Sequence, residues 1–515
     1  MRVSSLLSLA TLGTLALLAG RLDAQGYRVE LDARVQGVSY RGWQLDSIPI
    51  DQVQVQNGLL YTPGGIGVTC LAGQAYCIFY RPGDKVQAYP FAATVDFALW
   101  NFGVRGLRFE GSGRLAVDGK AGPTTSLSTQ ESMGAWPGTK PPAQLIEAYL
   151  AYDGPWYALR GGRVANVSRF GYTAFDGAQV RFHEPKERIG VSARYGWALA
   201  RGALVPWTDA SLDPLDEYRP STRDMLLGFD LDWNLPWLTG RVLYEREWAS
   251  ENSVTTVASE LLGGDVALRP HRSVHLSGGL EYDMALGSVG NADGAITGML
   301  PKGFGSVTLG ARRYRPRFPL WSIWTAFSPV PYNAFYGQAA VHVLAKLDVR
   351  GRVEKYGYDE TEAASALMTV ETDGWRYGLG ATYRHSPQLN ATVDYQAGLG
   401  VGAQAQTVDL GVNWRARDML NLRISGAYVE RALEFRYSNN TLWRFGLDAD
   451  AKVRPGLRAF GGAWYLAEQR DRPDAAAFDW NQVRFHIGLR FGFGSAADRP
   501  TLPPSILRIP EGGAQ

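Results

Sequence analysis

The chain has 515 residues, 52 Lys and Arg against 50 Asp and Glu, a formal charge of +2 and two cysteines. Both signs of charge are scattered evenly, which excludes a nucleic-acid face and a polybasic patch for a membrane surface. A chain this long ordinarily divides into several soluble domains, yet no linker, low-complexity tract or charge block separates any. Sixty glycines and 12% aromatic residues suit one large sheet of twisted strands.

Residues Met1 to Ala24 read as a secretory signal. Arg2 supplies the positive end, Leu6 to Ala19 an apolar run too short to span comfortably, and Leu22-Asp23-Ala24 a cleavage site before Gln25. No later apolar run is long enough for a membrane helix, so any crossing must be made by strands. The first strand is expected from Tyr27 to Val35, with Tyr27, Val29, Leu31, Ala33 and Val35 on one side and Arg28, Glu30, Asp32 and Arg34 on the other. A long irregular loop is expected from about Gly42 to Lys85. It carries Cys70 and Cys77 in TCLAGQAYC, which in an exported chain read as a local disulfide. No further ligands cluster there for a metal, and no CxxCH provides for a c-type haem, so no cofactor is expected.

Val86 to Trp100 and Leu107 to Asp118 then form a hairpin, followed by a loop from Gly119 to Pro142. Gln144 to Tyr152 turns at Asp153-Gly154-Pro155 into Trp156 to Val164. A loop follows, and Gln179 to His183 turns at EPKER into Ile189 to Ala200. Further turns fall at NLPW, RPHR, PKG, LAK, SPQ, RARDM and RPG, and the series ends at Val483 to Phe493, VRFHIGLRFGF. There Val483, Phe485, Ile487, Leu489, Phe491 and Phe493 alternate with Arg484, His486, Gly488, Arg490 and Gly492, so one face is apolar and the other charged. The count is about 22 strands, within a range of roughly 16 to 24, with short turns and longer polar loops in strict alternation.

No helical layer is on offer to cover the apolar faces, so their partner is lipid. In hydrocarbon an open sheet edge strands backbone groups at several kcal/mol each, and only a closed cylinder is viable. The predicted fold is therefore all-β, a transmembrane antiparallel up-and-down barrel over residues 25–493, with 1–24 as signal peptide and 494–515 as a Pro-rich periplasmic tail. A soluble sandwich or propeller would need a second apolar layer or a fixed-period repeat, and neither is present. Aromatic residues sort accordingly: Trp156, Trp233, Trp237 and Trp414 beside the short turns, Tyr195, Trp197, Trp248, Tyr282, Tyr395, Tyr428 and Tyr465 beside the long loops.

If lipid covers the apolar face, the opposite face lines a lumen. The expected lining includes Arg108, Glu110, Arg181, Arg194, Asp230, Asp232, Arg241, Glu281, Asp283, Arg350, Arg352, Arg376, Arg384, Asp394, Arg423, Arg484 and Arg490. Rings of Arg can filter anions, whereas paired Arg and carboxylates form a ladder that stiffens the wall. The Pro- and aromatic-rich segment Arg315 to Phe335 is a candidate constriction or docking loop. None of the six histidines stands in a metal spacing or nucleophile motif, so neither catalysis nor a metal site is expected.

The stretch Leu159 to Phe182 resembles the strand, loop, strand unit of bacterial outer-membrane porins of the alginate-export and substrate-selective kind. Gly162-Arg163 and Phe175-Asp176-Gly177 hold the motif positions, while Val164 stands where such porins often carry Gln. The terminal GLRFGF, Gly488 to Phe493, is similar to the aromatic-ended signal by which barrel-assembly machinery recognises its clients, although the chain runs on to Gln515. The resemblance implies a Gram-negative outer-membrane channel passing small hydrophilic solutes, with membrane lipid and the assembly machinery as partners. No plug domain stands before the first strand, which disfavours energy-coupled uptake. The alternative is a sleeve holding a partner protein, such as a multihaem cytochrome, in the bore.

Overall fold

The computed structural model describes residues 26–56, 58–71, 73–100, 102–117, 120–121, 143–184, 186, 188–199, 224–251, 254–315, 331–359, 373–400, 405–416, 419–430, 440–470 and 480–495. They form one closed antiparallel sheet of 22 strands. We number these β1 (Gly26–Pro49), β2 (Tyr76–Ala88 and, after a break at Tyr89-Pro90, Phe91–Trp100), β3 (Leu107–Val117), β4 (Ala143–Asp153), β5 (Tyr157–Ser168), β6 (Gly171–His183), β7 (Ile189–Ala198) and β8 (Met225–Asn234). There follow β9 (Leu238–Glu251), β10 (Val254–His271), β11 (Val274–Asp283), β12 (Ser288–Met299), β13 (Gly305–Tyr314), β14 (Tyr332–Leu344), β15 (Leu347–Tyr358) and β16 (Asp373–Ser386). The last six are β17 (Leu389–Gly400), β18 (Gln406–Ala416), β19 (Leu420–Glu430), β20 (Asn440–Arg454), β21 (Leu457–Arg470) and β22 (Trp480–Gly494).

Each strand pairs with its chain neighbours, and β1 closes the cylinder. It meets β22 from Arg28↔Gly494 to Val38↔Arg484 and the second part of β2 from Gly26↔Trp100 to Val35↔Phe91. No helix among the described residues is long and apolar enough to cross a membrane.

The burial pattern inverts that of a soluble protein. Along β7, Ile189, Val191, Tyr195 and Trp197 are exposed, while Gly190, Ser192, Arg194 and Gly196 between them are buried. Elsewhere Ile487 is 66% exposed and Arg194 only 1%. Which face looks inward follows from one contact: Arg169, in the β5–β6 turn, bonds Asp265 on β10 and Asp293 on β12. Strands are about 4.8 Å apart, so roughly 20–30 Å of wall separates these partners, and they meet only across the interior. The charged face therefore lines the bore, the apolar face points outward, and the architecture is a transmembrane up-and-down barrel. Exposed Trp156, Trp237 and Trp414 mark one rim, and exposed Tyr195, Trp197 and Tyr465 the other. Replacing Ile487 by Arg is expected to destabilise the lipid-embedded barrel by roughly 2–4 kcal/mol, the cost of a charge near the bilayer midplane. Urea unfolding in vesicles reads this, and an unchanged midpoint would remove Ile487 from the lipid face.

Several boundaries differ from the sequence expectation. The stretch from Gly42 to Lys85 is not one irregular loop: β1 runs on to Pro49 and pairs with Tyr76–Ala88, apart from a bulge between Arg41 and Trp43. This ribbon outlasts the pairing of β1 with β22, and at its tip Gln54–Gln56 pairs with Leu59–Tyr61. Cys70 and Cys77 are disulfide-bonded there. On the same ribbon the Ser47 amide and Arg81 both donate to Asp46, holding its carboxyl below the usual range. The expected loop between Val164 and Gln179 is also absent, since β5 and β6 continue to a two-residue turn at Arg169-Phe170. Short and long connections do not strictly alternate either, because the outer links after Ser168, Glu251 and Asp283 are short. Tyr332 to Phe335 belong to β14. The remainder of the Pro-rich loop, 316–330, lies outside the described residues, as do 1–25 and 496–515.

Candidate functional site: the bore and its inward hairpin

The β5–β6 hairpin leaves the wall partway along its length. Its pairing with β4 ends at Arg163↔Ala148 and with β7 at Phe175↔Ala198, while its own two strands stay paired to Ser168↔Gly171. At the bend, Gly162 takes φ +130°, and a Cβ there would lie 2.3 Å from the Ala148 carbonyl oxygen, so only glycine fits. Arg163 next to it forms a two-pronged pair with Asp176 across the hairpin, Nε to Oδ1 at 2.7 Å and Nη2 to Oδ2 at 2.9 Å, and donates to the Leu145 carbonyl. Phe175 is fully buried with Tyr149, Ala151, Val164, Ala198 and Leu226. The Gly-Arg and Phe-Asp-Gly motifs thus build the elbow from which the hairpin enters the bore.

Its tip lands on a part of the wall three to seven strands further round the cylinder. Phe170 packs on Leu243 of β9 and Leu261 of β10, Arg169 spans Asp265 and Asp293, and the Thr173 hydroxyl donates to Glu245 at 3.2 Å. Gly263 and Gly279 leave that wall bare where Phe170 and Arg169 arrive. Barrels of 22 strands enclose a lumen wide enough for a plug, and here residues 164–175 fill part of it.

Beneath the hairpin the charges interlock. Arg194 on β7 bonds Asp230 on β8 at 2.6 Å and Glu245 on β9 at 2.9 Å, all three nearly inaccessible. The Ser192 hydroxyl also donates to Asp230 at 2.9 Å, and Arg241 approaches it at 3.3 Å. Arg181 holds Asp232 at 2.9 Å. On β3, Arg108 pairs with Glu110 and Asp153, and the Tyr149 hydroxyl donates to Glu110 at 2.6 Å. On β11, Glu281 accepts from Asn291 at 3.1 Å, and Asp283 accepts the Leu286 amide at 3.0 Å, capping a turn.

The sector β13–β17 is different. Glu354 receives Arg312, Arg352 and Arg376, each at 2.6 Å, and its side chain is 1% exposed against 33, 42 and 39% for the three guanidinium groups. Arg376 lies over Tyr356 (4.2 Å) and Tyr332 (5.3 Å), and Arg352 over Tyr336 (4.8 Å). Further along the wall Arg350 pairs with Asp394 at 2.5 Å, and Arg384 and His342 both pair with Asp348. Successive inward positions on one strand step by about 7 Å, so these cations form a rail along the bore. Along it the guanidinium groups are more exposed than the carboxylates they pair with.

The remaining expected residues are more dispersed. Arg490 bonds Asp32 at 3.1 Å and lies over Phe460, Arg484 donates to Gln482 at 2.6 Å, and Arg423 stands opposite Asp448 in register. Glu245, Glu354, Arg312 and the tyrosines were not anticipated, although Glu354 continues the two-residue spacing of Asp348, Arg350 and Arg352. Arg169 carries no such signal, being a turn residue. Among the described residues no group of three His, Cys, Asp or Glu side chains could hold a metal ion.

No protein-family model matches the chain, and no curated protein matches it. Similar solved structures include OccAB4 of Acinetobacter baumannii, at 8% identity over 92% of this chain and 99% of that one, TM-score 0.38. A BenF-like porin of Pseudomonas fluorescens Pf-5 is 9% identical over 91% and 99%, TM-score 0.40. A mutant of the ferric enterobactin receptor PfeA of Pseudomonas aeruginosa is 11% identical over 91% and 80%, TM-score 0.47. With TM-scores below 0.5, none of these likenesses carries function or site residues over to this chain.

Proposed function

We propose that this protein is a Gram-negative outer-membrane channel giving passive passage to small hydrophilic solutes, with a preference for anions. The observation that carries the reading is the inverted burial of a closed sheet: apolar outside, charged inside, with guanidinium groups foremost on β13–β16. A lumen edged by exposed arginines concentrates anions. Export through the N-terminal signal and assembly through the aromatic-ended β22 complete the proposal. The sleeve alternative is less well supported, because the hairpin lies in the bore where a threaded partner would have to pass.

Reversal potentials across planar bilayers under a KCl gradient test this. The native protein is expected to show steady current with the reversal potential displaced toward that of chloride, and Arg352→Gln with Arg384→Gln to move it toward zero. A cation-selective native pore would overturn the anion preference. A silent protein that co-purifies with a haem partner would support the sleeve.

A further inference from the structure

We propose that the short turns β10–β11, β12–β13 and β14–β15 form a cationic patch that holds anionic phospholipid headgroups of the periplasmic leaflet. This goes beyond the channel reading, since it rests on the barrel and its lipid face and not on what passes through the bore. Each turn contributes a cation beyond the last pair of its ladder: Arg272 past His271↔Val274, Lys302 past Met299↔Ser306 and Lys346 past Leu344↔Leu347. Arg269, near the end of β10, adds a fourth. All four are exposed, and no ion pair engages any of them among the described residues. The three turns hold no Asp or Glu. Asp348, the acid nearest Lys346 along the chain, is held by Arg384 and His342. Turns two strands apart lie about 10 Å from one another along the wall, close to the Debye length at physiological salt, so their fields add. The even scatter of charge along the chain argued against such a patch. The barrel overturns that by setting turns that are distant in sequence side by side.

Position selects lipid over a dissolved anion. Val307 and Val343 are exposed on the outer faces of β13 and β14, a few residues from Lys302 and Lys346, so the patch continues the surface that lipid covers. In the neighbouring β8–β9 turn Trp237 is exposed, and its carbonyl accepts the Arg269 amide at 2.8 Å. Indole rings at a barrel rim settle among the headgroups, which sets Arg269 at that depth. Lys and Arg lay their stems along apolar surface and carry the charge to the phosphates. The short turns of such barrels face the periplasm, which makes the leaflet the inner one.

A fluorophore on Val343→Cys, in protein reconstituted into phosphatidylcholine vesicles, tests this by its quenching with nitroxide-labelled phosphatidylglycerol and, separately, nitroxide-labelled phosphatidylcholine. At low salt the phosphatidylglycerol is expected to quench about threefold more per mole, and the ratio to approach one in molar NaCl. The same fluorophore on Ile189→Cys, exposed beside the turn EPKER with its two acids and two cations, should give a ratio near one throughout. Arg272→Gln, Lys302→Gln and Lys346→Gln together should bring the Val343 ratio down to the Ile189 value. A ratio near one at Val343, or equal enrichment at the two sites, overturns the proposal. So does a triple variant that keeps the enrichment but moves the reversal potential, since its cations then serve dissolved anions. Conductance of the same preparation keeps the two readings apart. A conducting protein without enrichment sinks the patch alone, and a silent protein with it sinks the channel alone.

Discussion

Excising Val164 to Phe175 and rejoining Arg163 to Asp176 through a two-residue turn is expected to raise single-channel conductance by about twofold or more, because current through a water-filled pore is governed by its narrowest section. The deletion starts and stops at the bidentate Arg163–Asp176 pair, which stays to close the shortened hairpin. It removes Phe170 from Leu243 and Leu261 and frees Asp265 and Asp293 from Arg169. A milder version, Arg169→Ala, should increase current noise without a full step, since Phe170 and Thr173 still hold the tip. Deletion with unchanged conductance would show that the hairpin does not set the narrow point.

Arg194→Ala should be the most destabilising single substitution in the wall, at about 3–5 kcal/mol, because it takes the cation they share from two buried carboxylates, Asp230 and Glu245, and leaves Asp230 only the longer contact with Arg241. The cost comes from stranding the partners and not from the strength of the pair. The triple variant Arg194→Met, Asp230→Asn, Glu245→Gln removes all three charges and should therefore recover most of the lost stability. Urea unfolding in vesicles followed by tryptophan fluorescence measures both. Equal losses in the single and triple variants would mean that packing of the long Arg194 side chain, and not its charge, matters there.

The barrel was legible because most of its strands separate lipid from water. Ile189, Val191, Tyr195 and Trp197 declare the strand and its outer face at once, and counting such strands gives about 22, within 16 to 24, against 22 in the wall. Alternation reports the environment on the two sides of a strand and not extended backbone itself. Where both sides are alike it vanishes, and those are the places missed. The ribbon of β1 and Tyr76–Ala88 runs past its pairing with β22, and the tip of the hairpin is inside the bore with no lipid on either side. VANVSRFGYTAF therefore reads as a loop although ten of its residues pair.

For the bore, the face of Arg194, Asp230, Arg350 and Arg352 followed from the same parity. Partner choice did not. Arg194 bonds Glu245 two strands away, and Glu354 collects arginines from β13, β15 and β16, a grouping set by wall curvature and side-chain reach. The unequal exposure of acid and base, on which the proposed anion preference rests, is likewise invisible in a sequence whose formal charges almost cancel.

The sidedness of the wall is tested most directly by spin labels at two adjacent residues of β15, introduced as Arg352→Cys and Val353→Cys in separate proteins reconstituted in lipid. The structure predicts opposite accessibilities: the label at 353 is reached by oxygen dissolved in the bilayer and shielded from a water-soluble nickel reagent, and the label at 352 the reverse. Two labels equally open to the nickel reagent would contradict the barrel's inverted faces, and with them the channel.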